Sequence, residues 1–419
     1  MNDHNALLFN ADWKFLLGDP KGAQRTDYPD RTWKRIDLPH DWVIGQPFKR
    51  GEEQGYTPQN MQGFFAWEGI AWYRKTFLLS DLNEKEVRLF QNPVGADQRS
   101  DETTSSKNRS KPDFSVKSKV AVPKTEVLEQ LQVYIYFGGA YRNSVVYVNG
   151  KKAGGRAYGY ASFELNITAL VKPGENCIAL RLDNGKESPD RWYSGSGLCR
   201  NVYLRIVPPL HVKTWGLCIK TQMIRNQDHG SAAVISAALS LVNCGGAAKG
   251  RAYIQIQDRG HQTVVETSKA FGFAEPGECV LRQRLVIQKP LLWSAEDPNL
   301  YRAIVHLEDD EGNNIGRPVE VPFGVRDIEI TARRGMRVNG EPVKLKGVNL
   351  HHDCGITGAA FYEAAWRRRL LALKSIGCNA IRTSHNPPAE ELLDLCDELG
   401  FYVIDECFDK WKSGYYGAF

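Results

Sequence analysis

Histidine, arginine, asparagine and acidic residues are concentrated in three short stretches near the end of the sequence, each following a few apolar residues. The stretches cover residues 349–353, 382–386 and 405–409. Their side chains supply hydrogen-bond donors and acceptors, and the carboxylates and imidazoles among them can also transfer protons. One such residue alone is usually structural, whereas three comparable groups at successive strand ends indicate a site for a polar substrate.

Two more specific interpretations follow from the residue types. His351, His352 and Asp353 are metal-ligand types, but neighbouring residues on a strand point to opposite sides, which favours hydrogen bonding to substrate over a shared tetrahedral metal site. Asp405 and Glu406 diverge for the same reason. Either one faces the site as an acid/base group while the other satisfies an arginine such as Arg382, or the pair is structural.

The elements that position these stretches alternate between strand and helix. Short strands are predicted at 343–348, 380–382 and 402–404, with helices at 361–376 and from Pro387-Pro388 to Gly400. The residues expected to face inward are Trp366, Leu370, Leu373, Leu392, Leu393, Cys396 and Leu399. This alternation predicts a parallel sheet, in which the carboxyl ends of the strands point into an active site. A closed β/α barrel takes about 250 residues, so about 90 residues with three strands are an incomplete one.

The earlier part of the chain has the alternation typical of β-strands. Strands are predicted at 72–78, 133–137, 144–148, 178–182, 232–242, 251–257, 279–287 and 301–307. Turn sequences such as Asn149-Gly150 and Asp183-Asn184-Gly185 separate them. We expect a sandwich or jelly roll over residues 1–209 and an immunoglobulin-like sandwich over 210–326, followed by the barrel strands over 327–419.

Composition excludes several classes of protein. A formal net charge of +5 over 419 residues argues against an electrostatically driven nucleic-acid binder. The absence of a long apolar run or a signal-peptide pattern predicts no membrane partner, and nine cysteines without metal-binding spacing predict a reduced, cytoplasmic protein. Residues 91–125 are polar and aperiodic, and they are interpreted as an unstructured insertion or a gene-model error rather than a docking arm.

Residues 379–404 resemble the signature of glycoside hydrolase family 2, which contains β-galactosidases and β-glucuronidases. The matching features are Asn379, Arg382, His385, Pro387, Leu392-Leu393, Asp397 and Gly400, with Asn386 where tyrosine is usual. Residues 346–353 are similar to the family's first barrel strand, with a β-galactosidase-like His-His-Asp. Residues 138–150 and 191–202 resemble its jelly-roll sugar-binding domain, and 292–301 with 323–326 resemble the end of its immunoglobulin-like domain.

The resemblance implies a retaining glycosidase with two carboxylates about 5–5.5 Å apart, acting on non-reducing terminal β-glycosides, foremost β-galactosides. The family's two catalytic glutamates follow the fourth and seventh strands, so we expect both beyond Phe419 and assign no catalytic residue; a chain without them is expected to be inactive by itself. The residues expected to bind substrate are Asp183, His351, His352, Asp353, Arg382, His385, Asn386 and Glu406. Asp190 is the alternative to Asp183.

No cofactor is demonstrated by the residues themselves, and the resemblance implies Mg²⁺ or Na⁺ only for a full-length enzyme. The expected partners are a carbohydrate substrate and further copies of the chain in a homo-oligomer. A non-enzymatic carbohydrate-binding protein with two β-sandwiches is the competing interpretation, because it needs no catalytic glutamates. A truncated product without a stable fold is the third, since an open barrel piece exposes apolar faces.

Overall fold

The computed structural model of the chain describes residues 6–46, 69–79, 131–185, 192–226 and 230–407. The described part is mostly β, with two α-helices near its end. Neither helix is long and apolar enough to cross a membrane. The predicted insertion at 91–125 and Asp190 lie outside the described residues.

Ten strands form the first part of the fold, which we call the first sandwich. They are β1 (Ala6–Leu8), β2 (Trp13–Leu17), β3 (Lys34–Ile36), β4 (Ile70–Leu79), β5 (Gln132–Phe137), β6 (Ser144–Val148), β7 (Lys151–Arg156), β8 (Phe163–Asn166), β9 (Gly174–Asp183) and β10 (Val202–Val207). They pair as two antiparallel sheets, β1-β10-β5-β8 and β3-β2-β4-β9-β6-β7. Apolar side chains from both sheets share one core, in which Tyr73, Ile135 and Leu180 are fully buried.

Seven further strands form the second sandwich. They are β11 (Leu210–Asn226), β12 (Gly230–Asn243), β13 (Ala248–Gln257), β14 (Thr263–Phe273), β15 (Gly277–Gln288), β16 (Leu300–Asp309) and β17 (Val319–Gly324). The sheets β11-β12-β15 and β14-β13-β16-β17 enclose a separate core. A small antiparallel sheet follows, made of β18 (Ile328–Thr331), β19 (Gly335–Val338) and β20 (Glu341–Pro342).

The last part, the parallel unit, carries the polar stretches. It contains β21 (Gly347–Leu350), α1 (Glu363–Ser375), β22 (Ala380–Thr383), α2 (Glu390–Leu399) and β23 (Tyr402–Ile404). The three strands pair in parallel in the order β21-β22-β23, and apolar side chains of both helices cover one sheet face. Within the described residues the strands form an open sheet, so no closed barrel is present.

Two predicted boundaries in the parallel unit were wrong. Strand β21 begins at Gly347 rather than at residue 343. The Asn379 side chain accepts a hydrogen bond from the Lys346 amide and donates one to the Lys344 carbonyl. These main-chain groups are therefore not available for pairing with a neighbouring strand. Helix α2 begins at Glu390 and not at Pro387. Pro387 precedes another proline and is therefore disfavoured in helical conformation, and Ala389 is extended, with a ψ of 141°. Leu395 is buried where Leu393 had been expected.

Candidate functional site

The parallel register brings the three polar stretches to one edge of the sheet. Asn349 lies beside Arg382, which lies beside Ile404, so the residues that follow these positions meet at the carboxyl ends of the strands. Trp192 of the first sandwich also reaches this edge. We call Asn349, His351, Arg382, His385 and Glu406 the strand-end cluster.

Glu406 holds the strand-end cluster together. One carboxylate oxygen forms an ion pair with the Arg382 guanidinium, and the other lies 3.0 Å from His385 Nδ1. Arg382 also contacts the Asn349 side-chain oxygen at 3.5 Å. Because a carboxylate accepts hydrogen bonds, His385 Nδ1 carries the proton that faces Glu406, and Nε2 points away from this carboxylate, while Arg382 Nη2 lies 3.4 Å from the same Nδ1. The cluster therefore has an ion-paired carboxylate and an imidazole of defined orientation.

Aromatic rings line the same edge. The Trp192 ring lies 5.1 Å from the His385 ring and 6.1 Å from the His351 ring, measured between centroids, and the two imidazoles are 5.5 Å apart. Burial lowers the pKa of His351, which keeps its ring neutral near pH 7. The arrangement combines a buried tryptophan ring, 3% exposed, with several hydrogen-bonding groups that it supports.

Thr383 separates the two neighbouring acids after β23. Its hydroxyl accepts a hydrogen bond from the Glu406 amide at 3.1 Å and contacts the exposed Asp405 carboxylate at 3.2 Å. Glu406 turns instead towards Arg382 and His385. The acids diverge, as the alternation along a strand predicts, and Glu406 satisfies Arg382.

Three other predicted residues have different surroundings. His352 points towards the first sandwich, where its Nε2 lies 2.9 Å from the Ser194 carbonyl and its ring lies 4.7 Å from that of Tyr160. The Asp353 carbonyl accepts a hydrogen bond from Arg369 at 2.7 Å, and its side chain is half-buried. Asn386 is only 3% exposed. The structure thus brings together His351, Arg382, His385 and Glu406, and directs His352 elsewhere.

Asp183 makes its contacts within the first sandwich. Its carboxylate lies 3.1 Å from Arg181 Nη1 and accepts a hydrogen bond from the Gly185 amide at 3.0 Å. Trp192, which does contact the strand-end cluster, lies two residues after Asp190. A role for Asp183 in substrate binding stays a prediction, and Asp190 stays its alternative.

Comparisons with known proteins agree with this architecture. The TIM barrel domain of glycosyl hydrolase family 2 matches residues 328–410, and a second domain of the same family matches residues 219–326. A β-galactosidase of Bacteroides ovatus is 35% identical over 97% of this chain and 41% of its own length. The chain belongs to glycosyl hydrolase family 2.

Other family 2 proteins are similar over the same region. A β-glucuronidase of Formosa agariphila is 24% identical over 96% of the chain and 38% of its own length. The crystal structure of a family 2 member from Bacteroides cellulosilyticus superimposes with a TM-score of 0.79 at 30% identity, covering 98% of this chain and 49% of that one. The chain therefore spans less than half the length of these relatives.

Asp41 is a site-supporting residue of this family 2 chain that the sequence did not reveal. Its carboxylate is 4% exposed and accepts hydrogen bonds from the amides of Val43 (3.0 Å), Ser196 (3.1 Å) and Ala359 (2.8 Å) and from the Tyr193 hydroxyl (2.7 Å). Burial raises the pKa of Asp41 even though the four donors oppose this change. Since Tyr193 follows Trp192, Asp41 fixes the segment that carries the Trp192 ring.

Asp41 belongs to a wider contact between the first sandwich and the parallel unit, which we call the seam. The seam residues are Asp41, Tyr160, Ser194, Cys199 and Arg200 on one side and His352, Ala359, Phe361 and Pro387 on the other. The Arg200 guanidinium bonds the Tyr160 and Pro387 carbonyls, each at 2.7 Å. Pro387 directly follows the buried Asn386, so the seam also fixes the chain that leaves the cluster.

The metals that the family resemblance implies do not fit the residues at hand. Among the described residues no three His, Cys, Asp or Glu side chains come together as a metal site. In the strand-end cluster Glu406 is already engaged by Arg382 and His385, and Mg²⁺ prefers oxygen ligands. We derive no step through a metal ion.

Acid is expected to destabilise this family 2 chain through His352. Burial lowers the pKa of His352 to about 3, whereas a free histidine titrates near 6.5. As the pH falls between these values, the unfolded chain binds a proton that the folded protein does not. The free energy of unfolding should therefore decrease from pH 6.5 downwards, by up to about 1.4 kcal/mol per pH unit from this group.

Urea unfolding at several pH values between 7 and 4 measures this dependence. The variant His352→Gln keeps a donor for the Ser194 carbonyl but does not titrate, so its unfolding free energy should change less with pH. The exposed His261 is the matched control, and His261→Gln should keep the wild-type slope. Equal slopes in wild type and His352→Gln would contradict the prediction.

Proposed function

We propose that this chain supplies the substrate-positioning side of a retaining glycoside hydrolase that acts on non-reducing terminal β-galactosides. The observation that carries the proposal is the strand-end cluster, in which His351, His385, Arg382 and Glu406 meet the Trp192 ring at the carboxyl ends of parallel strands. Family membership and β-galactosidase relatives support the reaction class. We assign neither catalytic glutamate to a described residue.

The chemistry of the cluster suits a neutral hexose. Imidazole and carboxylate acceptors bind the hydroxyl hydrogens of a sugar, and a guanidinium donates to its hydroxyl oxygens. Pockets for small ligands commonly combine an apolar wall with a few well-oriented polar groups. In this proposal His385 Nε2 accepts a hydroxyl hydrogen while the buried Trp192 ring holds the imidazoles of His351 and His385 in place.

The pairing of Arg382 favours a galactoside over a glucuronide. A glucuronide carries a carboxylate, which needs an available cation or several donors. Arg382 is the arginine of the strand-end cluster, and its charge is balanced by Glu406. A neutral glycone does not have to compete with Glu406 for that guanidinium.

The domain organisation is part of the same proposal. Residues 1–209 form a jelly-roll sugar-binding domain, 210–326 an immunoglobulin-like domain, and 327–419 the first strands of a (β/α)8 barrel. Support comes from the separate apolar cores of the two sandwiches and from the parallel strand order of the last part.

A non-enzymatic carbohydrate-binding protein is the second candidate function. The observation that favours it is the ion pair between Glu406 and Arg382. Because Glu406 is the carboxylate of the strand-end cluster, this ion pair leaves the cluster without a free carboxylate for acid/base catalysis. Both candidates require sugar binding at the cluster. They differ in turnover.

Saturation-transfer NMR with methyl β-galactoside and methyl β-glucuronide, alongside hydrolysis of nitrophenyl β-galactoside, tests the proposal. We expect the galactoside to bind more tightly, and Trp192→Ala to weaken binding at least tenfold, because it removes the ring that packs against His351 and His385. Trp215→Ala, at a tryptophan that is 59% exposed, is the matched control and should bind normally.

The binding and hydrolysis results together distinguish the two candidate functions. Hydrolysis that depends on Trp192 supports the enzyme, and binding without turnover in the longest natural form of the protein supports the binding module. Tighter binding of the glucuronide would contradict the galactoside assignment. Binding that is equally strong in Trp192→Ala would contradict the location of the site.

A further inference from the structure

A small enclosed cavity lies in the seam, apart from the strand-end cluster. Its volume is about 30 Å³. Its walls come from both sides of the seam, with Tyr160, Ser194 and Arg200 from the first sandwich and His352 and Trp366 from the parallel unit. The cavity therefore lies where strand β21, helix α1 and the first sandwich meet.

Two polar atoms of residues that line this cavity are buried without a hydrogen-bond partner among the described residues. They are His352 Nδ1 and Trp366 Nε1. Trp366 as a whole is 1% exposed. A buried polar group that makes no hydrogen bond is destabilising, so two such atoms on residues that line one cavity point to an occupant that binds both.

The protonation state of His352 determines which hydrogen bonds the occupant of the cavity must make. Its Nε2 lies 2.9 Å from the Ser194 carbonyl, which can only accept, so Nε2 carries the proton. Burial lowers the pKa of His352 to about 3, which keeps the ring neutral and makes Nδ1 an acceptor. The Trp366 indole N–H can only donate. The occupant must accept from Trp366 and donate to His352.

We propose that a single buried water molecule occupies the seam cavity, accepts a hydrogen bond from Trp366 Nε1 and donates one to His352 Nδ1. The cavity volume agrees with this occupant, because a water needs at least about 10–15 Å³ of such space and two or more polar partners. A monosaccharide is too large for it. A metal cation or an ammonium ion cannot accept a hydrogen bond from the indole.

The water connects three parts of the fold. Trp366 belongs to α1, His352 follows β21, and His352 in turn bonds Ser194, two residues after Trp192. The bridge thereby fixes the imidazole of His352 in the tautomer that binds the first sandwich. This inference does not depend on the proposed glycosidase function.

Water-to-indole magnetisation transfer in the ¹⁵N-labelled full chain tests the bridge. We expect the Trp366 indole N–H to show a cross-peak to a long-lived water. The indoles of Trp13 and Trp293 are controls, because they donate directly to the carbonyls of Phe9 and Asp397, both at 2.8 Å. The absence of a water cross-peak from Trp366, or a His352 ring protonated on Nδ1, would overturn the proposal.

A variant gives an independent readout. Trp366→Phe keeps an aromatic ring in the core but removes the N–H, so the ¹⁵N resonance of His352 Nδ1 should shift as the water loses one anchor. Trp13→Phe removes an equally buried N–H that does not face the cavity and should leave that resonance unchanged. An unchanged His352 resonance in Trp366→Phe would contradict the water bridge.

Discussion

Replacing Asp41 by alanine is expected to lower the free energy of unfolding by at least about 4 kcal/mol. The substitution removes the acceptor of three buried amide N–H groups and of the Tyr193 hydroxyl. Each buried donor left without a partner costs about 1–3 kcal/mol. Urea unfolding measures the loss, and the same variant should bind galactoside weakly because the segment carrying Trp192 is released.

Two further variants sharpen this test. Asp41→Asn keeps the shape and one acceptor oxygen, so it should lose less stability than the alanine variant. The exposed Asp37 accepts a single backbone hydrogen bond from Asp12, and Asp37→Ala should change stability by less than about 1 kcal/mol. A loss of similar size in Asp37→Ala and Asp41→Ala would show that Asp41 is not the centre of the seam.

Glu406→Gln is expected to weaken galactoside binding about tenfold and to improve the relative binding of a glucuronide. An amide places an N–H group opposite the Arg382 guanidinium or the His385 Nδ1–H, where the carboxylate had accepted from both. His385 then loses its fixed orientation. Arg382 loses its counterion and becomes available to a sugar carboxylate.

The neighbouring acid provides the matched control. Asp405→Asn changes the same charge one residue away, but Asp405 is exposed and contacts Thr383 at 3.2 Å. Its galactoside affinity should stay within about twofold of wild type. Titration calorimetry with both glycosides measures the four affinities, and equal losses in the two variants would contradict a specific role for Glu406.

Much of the fold follows from local sequence signals. Asn149 and Gly150 adopt positive φ angles of 50° and 81°, and this two-residue turn joins β6 to β7 as the dipeptide predicts. Gly400, at a φ of 76°, ends α2. Turns and helix ends of this kind depend only on residues that are adjacent in sequence, so they can be predicted from short segments of the sequence.

The strand-end cluster was predictable for a different reason. Three polar stretches follow three apolar strands separated by helices, and a parallel sheet brings such ends together regardless of the details of packing. The sequence therefore indicated His351, Arg382, His385 and Glu406 as neighbours. It also indicated that His352 would diverge from His351, which the contacts with Ser194 and Tyr160 confirm.

The role of Asp41 could not be predicted in this way. Its partners Ser196 and Ala359 lie 155 and 318 residues further along the chain. No local pattern distinguishes an aspartate that binds distant amides from one in a surface turn. The same holds for Trp192, whose motif was visible but whose contact with His385 depends on how two parts of the fold meet.

Three of the hydrogen bonds between the first sandwich and the parallel unit join a side chain to the main chain. Asp41, Arg200 and His352 contribute side chains, and they bind the main chain of Ala359, Pro387 and Ser194. A main-chain amide or carbonyl persists through most substitutions, whereas a side chain does not. Homologous chains are thus free to drift at one partner of each bond while the other stays fixed.

Paired substitutions will consequently not reveal these three bonds, although they join two distant parts of the chain. In a saturation mutagenesis experiment, positions 41, 200 and 352 should be intolerant, because they supply the side-chain partners of these three bonds. To a method that searches for residues changing together, these bonds will look like three unrelated invariant residues, whereas side-chain pairs such as Tyr136 with Glu390 and Asn201 with Glu391 can change together.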